Sequence, residues 1–206
     1  MKKSKLKTWE IAVLLALATV LLWGAWTAHS QDALARKMIR LHVIANSDSE
    51  QDQVLKLQVR DIILDQATAI LEEADNMAQA VQKLEQSLPD MESIAAKEIN
   101  DRGYHYPVTA RLEETEFPTK EYDGFRLPSG EYLALRIVIG EGAGKNWWCV
   151  VFPPLCTTAA TDLGETAMAA GWNEKDVSFI TEEDEGYVLK FRAVELWENL
   201  RQRLGK

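Results

Sequence analysis

Leu133, Leu135, Ile137 and Ile139 alternate with Tyr132, Ala134, Arg136 and Val138, a period of two that suits an extended strand with one face on a core. Glycines at 140, 142 and 144 come next, and Trp147 to Phe152 resumes an apolar extended run. Glycine supplies the positive φ that a tight reversal needs, so the segment reads as a central β-hairpin. If Trp147 and Trp148 lie in a strand, they point to opposite faces, and at most one belongs fully to the core. The other is either covered by a further element or displayed as an aromatic anchor.

Gly144-Lys145 after a strand invites a phosphate-loop reading, which fails on spacing. Ile139 stands where the first glycine is needed, Asn146 replaces the magnesium-binding hydroxyl, and Trp147 to Phe152 is β-branched and aromatic where a helix is needed.

Cys149 and Cys156 are the two cysteines of the chain. Fully extended, their Cα atoms would stand about 23 Å apart, against roughly 4.4–6.8 Å for a disulfide. Pairing therefore requires a reversal, which Pro153-Pro154 can supply, most easily with one cis X-Pro bond. A disulfide and two unpaired structural thiols both remain open.

The first thirty residues differ in kind. Lys2, Lys3, Lys5 and Lys7 precede a charge-free run from Ile11 to Ala28, the order of an export signal. Cleavage after Ser30 would make residues 1–30 a signal peptide, and Ala33 and Ala35 also permit cleavage after Ala35; without cleavage residues 1–30 form an N-terminal membrane anchor, with membrane contact through residues 9–28. The lysines keep that end cytoplasmic, so the chain from about Gln31 onward is expected outside the cytoplasm. The formal charge is −9; losing residues 1–30 removes four lysines and Glu10, leaving −12. The formal charge of −9 argues against nucleic acid as a partner.

Met38 to Ala45 reads as a first strand, with Ile39, Leu41 and Val43 inward and Arg40 and His42 outward. Ser47 and Glu50 have capping-box spacing. Leu55, Val59, Ile62, Ile63 and Ile70 then predict an amphipathic helix ending near Glu73. Met77 to Leu88 predicts a second helix and Met91 to Ile99 a third, separated by Pro89 and stopped by Gly103. Asp48, Glu50 and Asp52 lack the glycine and glutamate of a calcium loop and read as charges at a helix N-terminus. Tyr104 to Glu116 predicts a strand, 117–130 a loop, Thr161 to Ala170 a short helix, Tyr187 to Phe191 a last strand and Ala193 to Leu204 a closing helix. Glu182 to Glu185 reads most simply as a solvated turn. The order implies α+β: a mostly antiparallel sheet, a helical group after the first strand and a C-terminal helix, behind an N-terminal export helix.

The residues show no Ser-His-Asp ordering, metal-ligand cluster or cofactor motif. Cys149 or Cys156 with His42 or His105 could serve an exported cysteine-dependent hydrolase, and a structural cell-envelope component is a third class.

Ile39-Arg-Leu-His-Val-Ile-Ala-Asn-Ser-Asp-Ser49, its continuation Gln51 to Asp61, Phe117-Pro-Thr-Lys120, and Leu127-Pro-Ser-Gly-Glu-Tyr-Leu-Ala-Leu-Arg136 through Cys156 resemble the stage II sporulation protein R family. The resemblance implies a signalling protein rather than an enzyme. Such a protein is made in the forespore and exported into the space between the two sporulation membranes. There it activates a membrane-embedded aspartic protease of the mother cell, which processes the sigma-E precursor. It implies a single extracytoplasmic signalling domain over residues 31–206. It brings no catalytic residues, metal or cofactor. Tryptophan and tyrosine favour interface hot spots, so Lys120, Tyr122, Lys145, Asn146, Trp147 and Trp148 are the expected partner-binding residues.

Overall fold

The computed structural model describes residues 7–156 and 162–181, with the backbone alone for 23–30. The chain forms α1 (Thr8–Ala35), β1 (Ile39–Ile44), α2 (Glu50–Leu71), α3 (Met77–Asp101), β2 (Val108–Phe117), β3 (Lys120–Tyr122), β4 (Phe125–Leu127), β5 (Gly130–Ile139), β6 (Asn146–Phe152), α4 (Leu163–Ala169) and α5 (Glu174–Ile180). The architecture is α+β, with a four-stranded sheet in the order β2-β5-β1-β6 and a separate β3–β4 pair. β1 runs parallel to β5; the other pairs are antiparallel.

The expected β5–β6 hairpin does not form: β1 lies between the two strands and pairs with both. Ile39, Leu41 and Val43 are fully buried with the helices, and Arg40, His42 and Ile44 are buried as well. A strand covered on both faces belongs inside a sheet. The connection at 140–145 is long enough to step across it, a span of about 10 Å between next-nearest strands. The same burial corrects the outward reading of Arg40 and His42.

One sheet face carries α2 and α3. Leu55, Val59, Ile63 and Ala67 of α2 and Leu84, Met91, Ala95 and Ile99 of α3 close on Leu41, Val43, Leu135, Ile137 and Val151. α3 is continuous through Pro89, against the expected break. Pro89 is exposed, so the carbonyl it cannot bond faces water, while the buried stripe passes unbroken on the other side. The cap of α2 is Ser49, whose hydroxyl accepts from the Asp52 amide at 3.2 Å. Ser47 is not the cap; its hydroxyl donates to the Asp52 carboxylate instead.

The second face is covered by Phe125 and Leu127 of the β3–β4 pair, Leu34 of α1, and Leu163, Ala167, Trp172 and Ile180 around α4 and α5. Residues 117–130, expected as a loop, thus contain a hairpin turning at Asp123-Gly124, with Gly124 at φ 82. The Trp172 indole donates to the Lys37 carbonyl at 3.1 Å and Lys37 pairs with Asp176, which ties α5 to the start of β1. α4 falls where the spacing places it, whereas α5 is unexpected, although Asn173 and Asp176 form a reciprocal capping box at its start. The acidic run 182–185, the last strand and the closing helix lie outside the described residues. Among the described residues no helix is long and apolar enough to cross a membrane. Trp9, Leu15, Val20 and Leu22 of α1 are exposed, and Leu34 and Met38 are buried.

Candidate functional site

Two polar clusters flank the C-terminal half of β1. The first is a clasp between the segment Ala45 to Asp48 and the 140–145 loop. Gly144 donates to the Ala45 carbonyl at 2.9 Å, Ala143 to the Asn46 carbonyl at 3.2 Å, Glu141 to Asn46 Oδ1 at 3.0 Å and Lys145 to Asp48 Oδ1 at 2.7 Å. The glycines make this approach possible. Gly140 and Gly142 hold φ of 58 and 61, and a Cβ on Gly144 would meet the Ser47 carbonyl oxygen at 2.2 Å.

Asp52 anchors the clasp from α2. Its Oδ2 accepts from Asn46 Nδ2 at 2.9 Å and from the Ser47 hydroxyl at 2.6 Å. Burial works to raise its pKa, but hydrogen bonds from Ser47, Asn46, Tyr106 and Ser49 outweigh it and hold the carboxyl below its ordinary value. Buried Lys56 donates to Gln53 Oε1 at 2.7 Å and to the Lys145 carbonyl at 3.0 Å. Burial lowers its pKa, Asp48 opposes that, and Arg60 and Lys145 add to it. The amides of Glu141, Ala143, Gly144 and Lys145 all find acceptors on the Ala45 to Asp48 segment, which is the chemistry of a structural lock.

The second cluster lies on the face away from α2 and α3, as a file of cations and rings. Lys120 Nζ sits 4.0 Å over the Trp148 ring; Trp148 stacks beside His42 at 5.8 Å, and His42 lies 5.7 Å from Phe117. The Arg40 guanidinium is 3.9 Å from the Phe117 centroid and 4.8 Å from that of Tyr132. Arg40 Nη2 donates to the Tyr122 hydroxyl at 2.7 Å, and that hydroxyl donates to the Trp148 carbonyl at 3.4 Å. Tyr122 itself stacks on Phe125.

Burial lowers the Arg40 pKa, against attraction from Tyr122 and Tyr132. Burial raises the Tyr122 phenol, with Arg40 opposing. His42 Nε2 lies 3.0 Å from Asn146 Oδ1. Its pKa is lowered first by burial and further by Arg136 and Arg40, against the Asn146 hydrogen bond and Glu113. Arg136 is held by Glu113 at 2.8 Å.

Of the six expected partner-binding residues, the structure brings Lys120, Tyr122, Asn146 and Trp148 together on this face. Trp147 turns to the opposite face, where Arg60 lies 4.8 Å from its ring, and Lys145 belongs to the clasp. Sequence reasoning misses Arg40, Asp52, Lys56 and Arg136 as site residues. A charged residue inside an apolar alternation, as Arg40 is in Ile39 to Ile44, is the one signal that could have found the first.

Cys149 and Cys156 form a disulfide with Cα atoms 6.0 Å apart, and the Phe152–Pro153 bond is cis. Cys149 pairs with Leu41 and packs on the helix side, whereas His42 pairs with Trp148 and faces the other way. His105 contacts Asn100 at 3.2 Å in an exposed position. The His42–Cys149 dyad of a hydrolase is therefore split by the sheet. Among the described residues no group of histidine, cysteine and carboxylate side chains could hold a metal ion.

Fold and clusters define a helix-backed α+β domain with a locked loop and, on the sheet face away from α2 and α3, a largely buried file of cations and rings rimmed by Lys120. The family model of stage II sporulation protein R matches residues 35–162, and the chain belongs to that family. The stage II sporulation protein R of Bacillus subtilis (strain 168) is 36% identical over 160 residues, covering 76% of this chain and 71% of that protein. No solved structure matches. The chain's role accordingly lies in sporulation.

Proposed function

We propose that this chain is an exported sporulation signal: made in the forespore, it crosses into the intermembrane space and activates a membrane-embedded aspartic protease of the mother cell, which then processes the sigma-E precursor. The observation that carries this reading is the family match, which runs from the end of α1 to the cap of α4 and so takes in both polar clusters. Export rests on the lysines preceding the apolar run of α1.

Activation requires the chain to bind the protease's active state more tightly than its inactive one, since a ligand shifts an equilibrium only by that difference. Lys120, Tyr122, Asn146 and Trp148 are the proposed contact residues on the outer face, and Lys145 and Trp147 those at the clasp side. The proposed role is that of a trigger, without catalysis by the chain itself.

The test is processing of a sigma-E precursor in a non-sporulating host carrying the mother-cell protease. Processing with the full chain, and none with a version lacking residues 1–30, supports the reading. No processing with a well-exported full chain contradicts it.

A further inference from the structure

Resting on that docking role, we propose that the outer face between β1, β6 and the β3–β4 hairpin recognises a carboxylate side chain from an acidic segment of the partner protein, with Lys120 at the rim and Arg40 supplying positive charge from behind. Arg40 is 0% exposed, and among the described residues its hydrogen-bond partner is a neutral phenol. Its Nε and Nη1 have no partner among those residues. A buried cation is costly unless an opposite charge compensates it, and the rings of Phe117 and Tyr132 offer only a partial substitute. The guanidinium charge is left uncompensated within the described part of the domain.

Neighbouring groups on the same sheet face add to it. Trp148 Nε1 and His42 Nδ1 are likewise buried without partners among the described residues. Lys120 Nζ lies over the Trp148 ring, and Arg136 stands beside His42 with Glu113 claiming one of its sides. This concentration of positive charge belongs to a chain of formal charge −9. An extended polyanion or anionic bilayer would be repelled by the rest of the surface, whereas one or two carboxylates on a protein segment meet only the patch. A carboxylate arriving here would favour the imidazolium of His42, whose Nδ1 then becomes a donor.

The experiment uses the full-length chain in zwitterionic detergent. It follows the Trp148 indole resonance, assigned with Trp148→Phe, and the titration midpoint of His42. The probes are an acetylated, amidated hexaglutamate peptide, its hexaglutamine analogue, and acetate. Hexaglutamate is expected to shift the indole resonance, to raise the His42 midpoint, and to bind more weakly as salt screens the attraction. Lys120→Glu should weaken that binding by about tenfold or more, and Lys120→Gln by less. Hexaglutamine should leave both signals unmoved.

No response to hexaglutamate, an equal response to hexaglutamine, or equally tight saturation by acetate would overturn the proposal. Lys120→Glu that abolishes peptide binding but leaves precursor processing intact would remove this face as the docking site while the signalling role stands. Peptide binding by a chain that never triggers processing would keep the carboxylate surface and sink the signalling role.

Discussion

The Cα of Gly144 lies so near Ser47 that a Cβ would sit 2.2 Å from the Ser47 carbonyl oxygen and 2.9 Å from Ala45 Cβ. Backbone cannot yield as a side chain can, so Gly144→Ala should open the clasp and cost about 3 kcal/mol or more. Gly103 offers the comparison: at φ 83 with nothing within 4 Å, Gly103→Ala should cost only the left-handed strain of about 1–2 kcal/mol. Urea midpoints of the two variants, read side by side, check the ranking.

Asp52 is predicted to make the clasp acid-labile. Its folded pKa lies below the ordinary 3.8, so its contribution is complete above that value and is lost as pH falls towards the folded one. Asp52→Asn should cost about 1.5–3 kcal/mol at neutral pH, because a neutral amide oxygen accepts more weakly from Asn46 and Ser47 than a carboxylate and its NH2 replaces the second acceptor oxygen. It should also flatten the stability profile below pH 3.8. Denaturation curves from neutral into strongly acidic solution measure both effects.

The disulfide closes a short loop and should contribute about 2.5 kcal/mol. Cys149→Ser with Cys156→Ser should lower thermal stability by that amount. Signalling should then track the folded fraction and return on cooling. Loss of activity in a fully folded double variant would instead favour thiol chemistry.

Leu34 is 2% exposed and packs with the second core, so the last turn of α1 is part of the domain. A chain starting at residue 31 should unfold close to the full chain, while one starting at residue 36 loses a buried leucine worth about 1.5–3 kcal/mol. Export processing, where it occurs, should accordingly fall after Ser30 rather than Ala35. Calorimetry of the two truncations and the N-terminal sequence of the exported form test this.

Local periodicity makes most elements legible. Ile39 to Ile44, the α2 stripe and the alternation of Tyr132 to Ile139 all announce their type. What periodicity does not carry is which strand lies beside which: a short loop with three glycines serves equally for a turn or for a step across β1, and only burial of β1 on both faces decides. Pro89 misleads because its cost depends on whether it faces water. Asp123-Gly124 is a readable hairpin signal hidden by the surrounding prolines. On the site side, Lys120, Tyr122 and Trp148 can be chosen by residue type. Arg40 acts through partners distant in sequence and Asp52 through a fold-back of the preceding loop, and no local pattern reports either.

The central claim is an exported signal that docks through its outer face, and sigma-E precursor processing in the reconstituted host tests it most directly when wild type is run beside two double variants. Lys120→Ala with Trp148→Ala removes the outer face, and Lys145→Ala with Trp147→Ala removes the clasp side. The account predicts robust processing by wild type, a loss of at least about tenfold for the first pair per folded, exported chain, and a smaller loss for the second on the same basis. Equal processing by wild type and the first pair would contradict it.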